Sequence, residues 1–211
     1  GYALFGRGNN FIVINNGIDL SRFSYKPAIR KDTRIELNIP QDATVLLNIA
    51  RFQEVKNHTY LIDVFKEYIK IHPNSHLLLV GDGPLRNTIE NKVRKLKLAN
   101  CISFTGVRSD TEKMYNSADI FVMPSIFEGL PVVLIEAQAN RLPCIVSDSI
   151  DHDVKINDNF NFLNIHLAPS EWATAIKLCK KRRGQKSHKL DKLYDIKNIV
   201  KQLASIYKEV L

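Results

Sequence analysis

Two kinds of hydrophobic pattern alternate along most of the chain. Short continuous apolar runs are typical of strands buried on both faces of a sheet, whereas apolar positions three and four residues apart are typical of helices that pack on it. The runs predict one short strand followed by five buried strands. In chain order they are Phe11–Ile14, Thr44–Arg51, His76–Gly81, Cys101–Gly106, Asp119–Pro124 and Leu142–Ser149.

Helical segments separate the buried strands. Asn57 suits the N-cap of the first of them, and Pro84 suits the first position of the second. The predicted helices are His58–His72, Leu85–Leu96, a short helix that ends at Asn116, Leu130–Ala139, and two or three helices near the C-terminus. Because strand and helix alternate five times with short links, the sequence predicts an α/β fold, a Rossmann-like parallel sheet with helices on both faces.

Composition fits one folded unit with an affinity for phosphates. The 211 residues are 45% hydrophobic, which is enough for one sizeable core. No run approaches the roughly 18 apolar residues of a membrane span. The formal net charge of +8 favours nucleotides, nucleic acid or anionic lipid as partners, without choosing among them. Three widely spaced cysteines in apolar contexts indicate core thiols in a reducing cytosol.

Ligands of a parallel sheet bind beyond the carboxyl ends of its strands, so the residues after each strand are the candidates. Arg51 ends a buried strand and Lys56 precedes a helix, which places two cations at one strand end. They are either solvated loop charges or a clamp for a diphosphate, which Arg can bind through two hydrogen bonds and Lys as a point charge.

The segment 127–143 contains a second candidate binding site, because an acidic residue lies within an apolar helix. Glu136 lies inside an otherwise apolar helix, where an ionised carboxylate is costly unless it is paired. It pairs either with a core Arg or Lys, or with the hydroxyls of a sugar or ribose. Glu128 precedes the helix as a surface acid or a second ligand contact, and the backbone N–H groups of Gly129 and Leu130 form a natural anion site.

Two glycine-containing turns are less specific. The stretch GDGPLRN lacks the third glycine of a dinucleotide fingerprint, which favours a tight structural turn and makes NAD an unexpected ligand. The loop at Val107 and Arg108 is either an ordinary turn or a slot for a base. The sequence Asp151–Asp153 has no metal-ligand spacing, so we predict neither a metal nor another cofactor.

Five motifs in order, NNGID, ARFQEVKN, GDGP, FTGVRSD and MPSIFEGLPVVLIEAQA, carry a family resemblance between about Phe11 and Ser149. They resemble the nucleotide-sugar half of a retaining, two-domain (GT-B) glycosyltransferase of glycosyltransferase family four. The sequence EGLPVVLIEAQA resembles the corresponding segment of bacterial enzymes of exopolysaccharide or capsule synthesis. The phosphate loop departs from the family in lacking the second glycine of EGFGL.

The resemblance implies a role for each candidate. Arg51 and Lys56 match the cations that hold the diphosphate, and Glu128 matches a contact to the transferred sugar. These three are the implied catalytic residues. The implied donor-binding residues are Glu136 for the ribose, Gly129 and Leu130 for sugar or phosphate, and Val107 and Arg108 for the base.

The resemblance also implies a domain organisation. A connector at 1–10 leads to a donor-binding domain at 11–183 and a helical extension at 184–211. The start at Gly1 instead of Met suggests a fragment that lacks the N-terminal acceptor domain and is inactive without it. The expected activity is transfer of a sugar, from a UDP-sugar, to a glycan or lipid-linked acceptor with retention of configuration in polysaccharide biosynthesis. The alternative is a non-catalytic module that binds a nucleotide or polysaccharide.

The basic run Lys177–Lys189 bears on partners and location. It is either a solvated helix end or a contact with an anionic membrane surface. No aromatic residue interrupts it, so we do not expect nucleic acid as a partner. The expected location is the cytoplasm. If the basic run contacts lipid, the protein would lie peripherally at the inner face of the plasma membrane.

Overall fold

A six-stranded parallel sheet forms the centre of the computed structural model, which describes residues 12–179 and 188–210. The sheet order is β3-β2-β1-β4-β5-β6. The strands are β1 (Thr44–Ile49), β2 (Ser75–Val80), β3 (Ile102–Phe104), β4 (Ile120–Met123), β5 (Cys144–Ser147) and β6 (Phe160–Leu163). Each neighbouring pair is parallel, which confirms the predicted fold class.

Helices cover both faces of this sheet. They are α1 (Pro27–Glu36), α2 (His58–Ile71), α3 (Arg86–Lys95), α4 (Thr111–Ser117), α5 (Val132–Ala139), α6 (Pro169–Leu178), α7 (His188–Tyr194) and α8 (Ile196–Val210), with short 3-10 turns at Glu54–Lys56 and His152–Val154. Val45 and Leu47 of β1 pack in one apolar cluster with α4, α5 and α7, while Leu46 packs in a second with α2, α3 and α6. Successive residues of a strand point to opposite faces, so the two clusters are the two sides of the sheet.

The strand order reverses between β1 and β4. These strands lie side by side, with Leu46 opposite Ile120, although β2 and β3 separate them in the chain. The connections from β1 and β4 therefore leave in opposite directions along the sheet. Such a switch point opens a crevice at the carboxyl ends of the strands, where doubly wound sheets bind their ligands.

The predicted strand at Phe11–Ile14 is wrong over the part that the structure describes. Residues 12–14 form no strand, and the side chains of Ile12 and Val13 are 62% and 70% exposed. The backbone joins the fold further on, where the Ile18 N–H donates to the Tyr194 carbonyl at 2.8 Å. At Ile18 the chain thus bonds to the C-terminal helices instead of to a strand of the sheet.

Two elements were not predicted, α1 and β6. The sequence of α1 is strongly polar, and its most buried side chain is Arg34, which is fully covered. Arg34 donates to the Ser117 and Ala43 carbonyls at 2.8 and 2.9 Å and to the Asp119 carboxylate at 2.8 Å. A helix docked by hydrogen bonds leaves no apolar stripe to find, and Pro27 at its first turn was the available signal.

The C-terminal helix α7 packs on the same core as the sheet, and α8 lies against the segment at Gly17. Leu190 and Tyr194 are buried in the cluster that contains β1. Gly17 permits the approach of α8, because a Cβ there would lie 2.8 Å from the Ile196 Cα. The predicted boundary between 183 and 184 lies outside the described residues. No helix in the described ranges is long and apolar enough to cross a bilayer.

Candidate functional site

Lys56 and Glu128 meet across the switch point. Lys56 ends the 3-10 turn after β1, and its ammonium forms an ion pair with the carboxylate of Glu128 in the loop after β4. Their side chains are only 18% and 11% exposed. The two loops are also joined by their backbones, since the Ile126 N–H donates to the Val55 carbonyl at 2.8 Å. The structure thus brings two of the three predicted catalytic residues into direct contact.

Arg51 lies on the same loop as Lys56 but is exposed. Its guanidinium makes no hydrogen bond or ion pair with any residue that the structure describes. The following residue anchors the loop, because the Phe52 N–H donates to the Asp82 carbonyl at 2.9 Å and the Phe52 carbonyl accepts from the Leu85 N–H at 3.0 Å. An anchored loop therefore presents a cation that is available to an anion.

The GDGP turn explains this anchoring. Gly81 has a φ of +128°, and a Cβ there would lie 2.2 Å from the Ala50 carbonyl oxygen. At Gly83 the corresponding distance to the Phe52 carbonyl oxygen is 2.5 Å. Neither position accommodates a side chain, so the glycines permit close packing of the turns after β1 and β2. This geometry supports the structural interpretation of the motif.

The segment before α5 supplies an open approach. Gly129 is exposed, and a Cβ placed on it would have no other atom within 4 Å. Leu130 is partly buried against the core and holds the segment in place. Pro131 is the N-cap residue, and α5 runs for eight residues from Val132. Backbone groups at Gly129 and Leu130 therefore flank the N-terminus of a buried helix beside Glu128.

Glu136 lies in the second turn of α5 and pairs with a tyrosine. The Tyr115 hydroxyl on α4 donates to Glu136 Oε2 at 2.7 Å. Burial raises the pKa of Glu136, while this hydrogen bond and the positive charge of Arg22 act in the opposite direction. A core Arg or Lys was one of the two partners considered for this carboxylate, and the structure pairs it with a neutral hydroxyl instead.

The two predicted residues in the loop after β3 differ in their surroundings, since one is exposed and the other is held by ion pairs. Val107 is 80% exposed. Arg108 is held by the Asp110 carboxylate at 2.7 Å and by Glu36 at 2.8 Å, and both contacts raise the pKa of its guanidinium. These two acids already hold the Arg108 guanidinium, whereas Val107 is exposed to a ligand.

The predicted residues thus fall into local groups. Lys56 and Glu128 form a pair with Arg51 on the same loop, whereas Glu136 and Arg108 contact Tyr115 and Asp110 respectively. Within the described ranges, no three His, Cys, Asp or Glu side chains are grouped as a metal site requires.

Sequence reasoning missed Arg22 and Tyr115 as neighbours of Glu136. Arg22 pairs with Glu112 on α4 at 2.8 Å and donates to the Ser109 carbonyl at 2.5 Å. Its position shortly after NNGID was the one available signal. Tyr115 is fully buried among apolar residues, so nothing in the sequence distinguishes it from an ordinary core aromatic.

Comparison with known proteins shows which family this chain matches. Residues 29–201 match the family model described as glycosyl transferases group 1. A Bacillus subtilis (strain 168) protein named as a glycosyltransferase, EpsF, is 39% identical over 158 residues, which are 73% of this chain and 41% of that protein.

Two further matches extend the comparison. The UDP-Gal:alpha-D-GlcNAc-diphosphoundecaprenol alpha-1,3-galactosyltransferase of Escherichia coli is 33% identical over 160 residues, 74% of this chain and 41% of that protein. The crystal structure of Anabaena Alr3699/HepE in complex with UDP-glucose superposes with a TM-score of 0.80 at 20% identity, covering 98% of this chain and 60% of that one.

These matches define both the fold and its extent. The likeness to HepE shows the Rossmann-like fold of a GT-B glycosyltransferase half. The chain spans about two fifths of the length of the curated relatives it matches. With a family model that covers residues 29–201, the chain belongs to the family of glycosyl transferases group 1.

Proposed function

We propose that this chain is the nucleotide-sugar-binding half of a retaining GT-B glycosyltransferase, of the type assigned to family four, that acts in polysaccharide biosynthesis. The donor is a UDP-sugar, and the acceptor is a glycan or a lipid-linked glycan held by an N-terminal domain. On this proposal the chain binds the donor by itself and transfers sugar only together with that domain.

The observation that carries the proposal is the group of charges at the β1/β4 switch point. Lys56 and Glu128 are paired there, and Arg51 presents a guanidinium that makes no hydrogen bond or ion pair with the described residues. A diphosphate needs cations, and a sugar needs carboxylate oxygens that accept its hydroxyl hydrogens. Both are present at the edge where a parallel sheet binds ligands.

In this proposal the catalytic contribution is electrostatic. When the anomeric C–O bond breaks, its electron pair stays on the diphosphate oxygen, which gains negative charge. Arg51, Lys56 and the N-terminus of α5 stabilise that charge, and such preorganised groups supply much of the rate enhancement in many enzymes. The acceptor hydroxyl forms the new bond on the same face, and its proton passes to the departing diphosphate oxygen. The proposal needs no metal ion for these steps.

The remaining residues bind the donor. Glu136 accepts from the ribose hydroxyls, and the backbone at Gly129 and Leu130 contacts sugar or phosphate. Val107 and the backbone of its loop lie against the base. Arg108 supports that loop through Asp110 and Glu36 instead of contacting the base with its guanidinium.

The identity of donor and acceptor comes from the relatives. The HepE crystals contain UDP-glucose, and the name of the Escherichia coli relative specifies UDP-Gal and a diphosphoundecaprenol-linked acceptor. By analogy we assign UDP as the nucleotide and a lipid-linked glycan as one acceptor class. A lipid-linked acceptor would place the enzyme in the cytoplasm at the inner face of the plasma membrane, with the basic run from Lys177 to Lys189 against anionic lipid.

Calorimetric titration of the 211-residue chain with UDP, GDP and ADP tests the proposal directly. We expect UDP to bind with a dissociation constant between about 1 μM and 1 mM, corresponding to about 4 to 8 kcal/mol of binding free energy. A folded sample that releases no heat with any of the three nucleotides would contradict the proposal.

A further inference from the structure

The hydroxyl of Tyr115 fixes one oxygen of the Glu136 carboxylate. It donates to Oε2 at 2.7 Å and lies 3.1 Å from the Val133 carbonyl oxygen, one turn earlier in α5. The contact joins α4 to α5 across residues that are 21 positions apart in the chain. Rotation of the carboxylate would break this bond, so its orientation depends on Tyr115.

Tyr115 is itself held rigidly. Its side chain is fully buried, and its ring packs edge-on against Phe23 at 5.8 Å between centroids and obliquely against Phe121 at 5.9 Å. Burial and the neighbouring carboxylate raise the pKa of Tyr115 well above its ordinary value, so the hydroxyl keeps its proton and remains a donor. A rigid donor fixes the position of the group that accepts from it.

The second oxygen of Glu136 is left for another partner. Oε1 accepts no hydrogen bond from the residues that the structure describes, although the residue is only partly exposed. Burial raises the pKa of this carboxyl group, so each hydrogen bond to its ionised form matters more than it would in water. One oxygen is therefore occupied within the protein, and the other is available to a ligand hydroxyl.

We propose that Tyr115 is a positioning residue for donor recognition, which holds the Glu136 carboxylate so that its free oxygen accepts from a ribose hydroxyl. This inference rests on the proposed function, in which Glu136 binds the ribose. Tyr115 does not touch the donor. Without its hydroxyl, the carboxylate samples other orientations and must be ordered when the nucleotide binds.

A purely structural tyrosine would satisfy the same hydrogen bond, so the test must separate the two roles. The probes are UDP and 2′,3′-dideoxyuridine 5′-diphosphate, which lacks both ribose hydroxyls. In Tyr115→Phe we expect UDP to bind about tenfold more weakly, the usual worth of one hydrogen bond to a charged group. The dideoxy analogue should bind Tyr115→Phe and the unmodified chain equally. Equal weakening of both probes, or no weakening with UDP, would overturn the inference.

Two further variants keep the test decisive. In a Glu136→Ala background, Tyr115→Phe should cause no additional loss of UDP affinity, because its effect passes through the carboxylate. If Tyr115→Phe does not fold, Phe23→Leu loosens the packing of the Tyr115 ring and keeps the hydroxyl. It should then weaken UDP binding relative to the unmodified chain, again without affecting the analogue, and unchanged UDP binding in this variant would overturn the inference.

The wild-type results separate this inference from the proposed function. If the wild-type chain binds no nucleotide, the proposed function fails. If it binds UDP and the dideoxy analogue equally well, the chain still binds a nucleotide but the role of Glu136 fails. If the wild-type chain discriminates between the probes and Tyr115→Phe discriminates just as well, only the role of Tyr115 fails.

Discussion

Lys56 and Glu128, 72 positions apart in the sequence, form an ion pair that closes the gap between the loops after β1 and β4. In the proposed function one of them binds the diphosphate and the other binds the sugar. A nucleotide therefore meets a lysine whose charge is already partly neutralised, and the phosphates must compete with Glu128 for it.

This competition predicts an unusual gain of affinity. Glu128→Gln removes the competing charge, so we expect UDP, which has no sugar, to bind about threefold or more tightly. A threefold change corresponds to roughly 0.7 kcal/mol, which lies within the range for a partly exposed ion pair. Calorimetric titration with UDP measures it. Glu54→Gln is the matched control on the same 3-10 turn and should leave the affinity unchanged. Weaker UDP binding in Glu128→Gln would contradict the competition.

The exposed guanidinium of Arg51 predicts the opposite effect. Arg51→Ala removes a cation that makes no hydrogen bond or ion pair with the described residues, so stability should change little while UDP affinity falls. We expect a loss of about 1 to 3 kcal/mol, the usual range for a hydrogen bond to a charged group. Arg94→Ala on α3 is the matched control, since Arg94 is also exposed. Equal effects of the two substitutions would remove Arg51 from the site.

The fully buried Arg34 predicts a large effect on stability. Arg34→Met leaves the Asp119 carboxylate without one of its partners and several carbonyl groups without donors. We expect the free energy of unfolding to fall by about 3 to 5 kcal/mol, the range for breaking a buried ion pair. Urea denaturation at pH 7 measures it. Lys31→Met, at an exposed position of the same helix, should change the free energy by under about 0.5 kcal/mol.

Two buried histidines predict a loss of stability in mild acid. Burial lowers the pKa of His58 and His76 from 6.5 to about 4, so the unfolded chain takes up protons first as the pH falls. Their contribution to stability is complete above pH 6.5 and decreases between pH 6.5 and about 4. Each unit of pKa difference corresponds to about 1.4 kcal/mol, which sets an upper limit of about 3.5 kcal/mol for each histidine.

Denaturation at several pH values checks this prediction. The decrease in the free energy of unfolding between pH 6.5 and 4 should be smaller in His58→Leu than in the unmodified chain, and smaller in His76→Leu as well. A slope that is the same in both variants and in the unmodified chain would show that other groups cause the acid sensitivity.

The basic run predicts salt-sensitive binding to anionic vesicles. Lys180, Lys181, Arg182 and Arg183 lie outside the described residues, so this expectation rests on the sequence. Replacing all four by Glu should abolish sedimentation with phosphatidylserine-containing vesicles, since each well-placed cation contributes about 1 kcal/mol. Unchanged sedimentation would contradict membrane contact by this segment, and vesicles of neutral lipid provide the control.

The sequence predicted the elements whose stability comes from apolar burial. All six positions of both β1 and β2 are buried, and both strands were predicted from their continuous apolar runs. By contrast, α1 docks through Arg34, and the edge strand β6 alternates between Phe160, which is buried, and Asn161, which is exposed. Neither has a long apolar run, so neither was detected.

The residues of the candidate site also differ in whether the sequence could identify them. Charged residues at strand ends identified Lys56 and Glu128 because the topology of a parallel sheet brings strand ends together. The same reasoning could not identify Tyr115, whose proposed role depends on one hydroxyl among buried aromatic contacts. It also could not show that Arg108 is already paired with Asp110 and Glu36, because those contacts depend on tertiary packing.

The turns after β1, β2 and β3 are held to one another by main-chain groups, through the Phe52 N–H to the Asp82 carbonyl and the Gly81 N–H to the Gly106 carbonyl. Every residue type except proline has both a backbone N–H and a carbonyl group. Exposed side chains in these turns can therefore be replaced without breaking the hydrogen bonds that join the turns. If the proposed function holds, preference for the base can therefore change by point substitution at exposed positions such as Val107, while Gly81 and Gly83 stay fixed by the lack of space for a side chain.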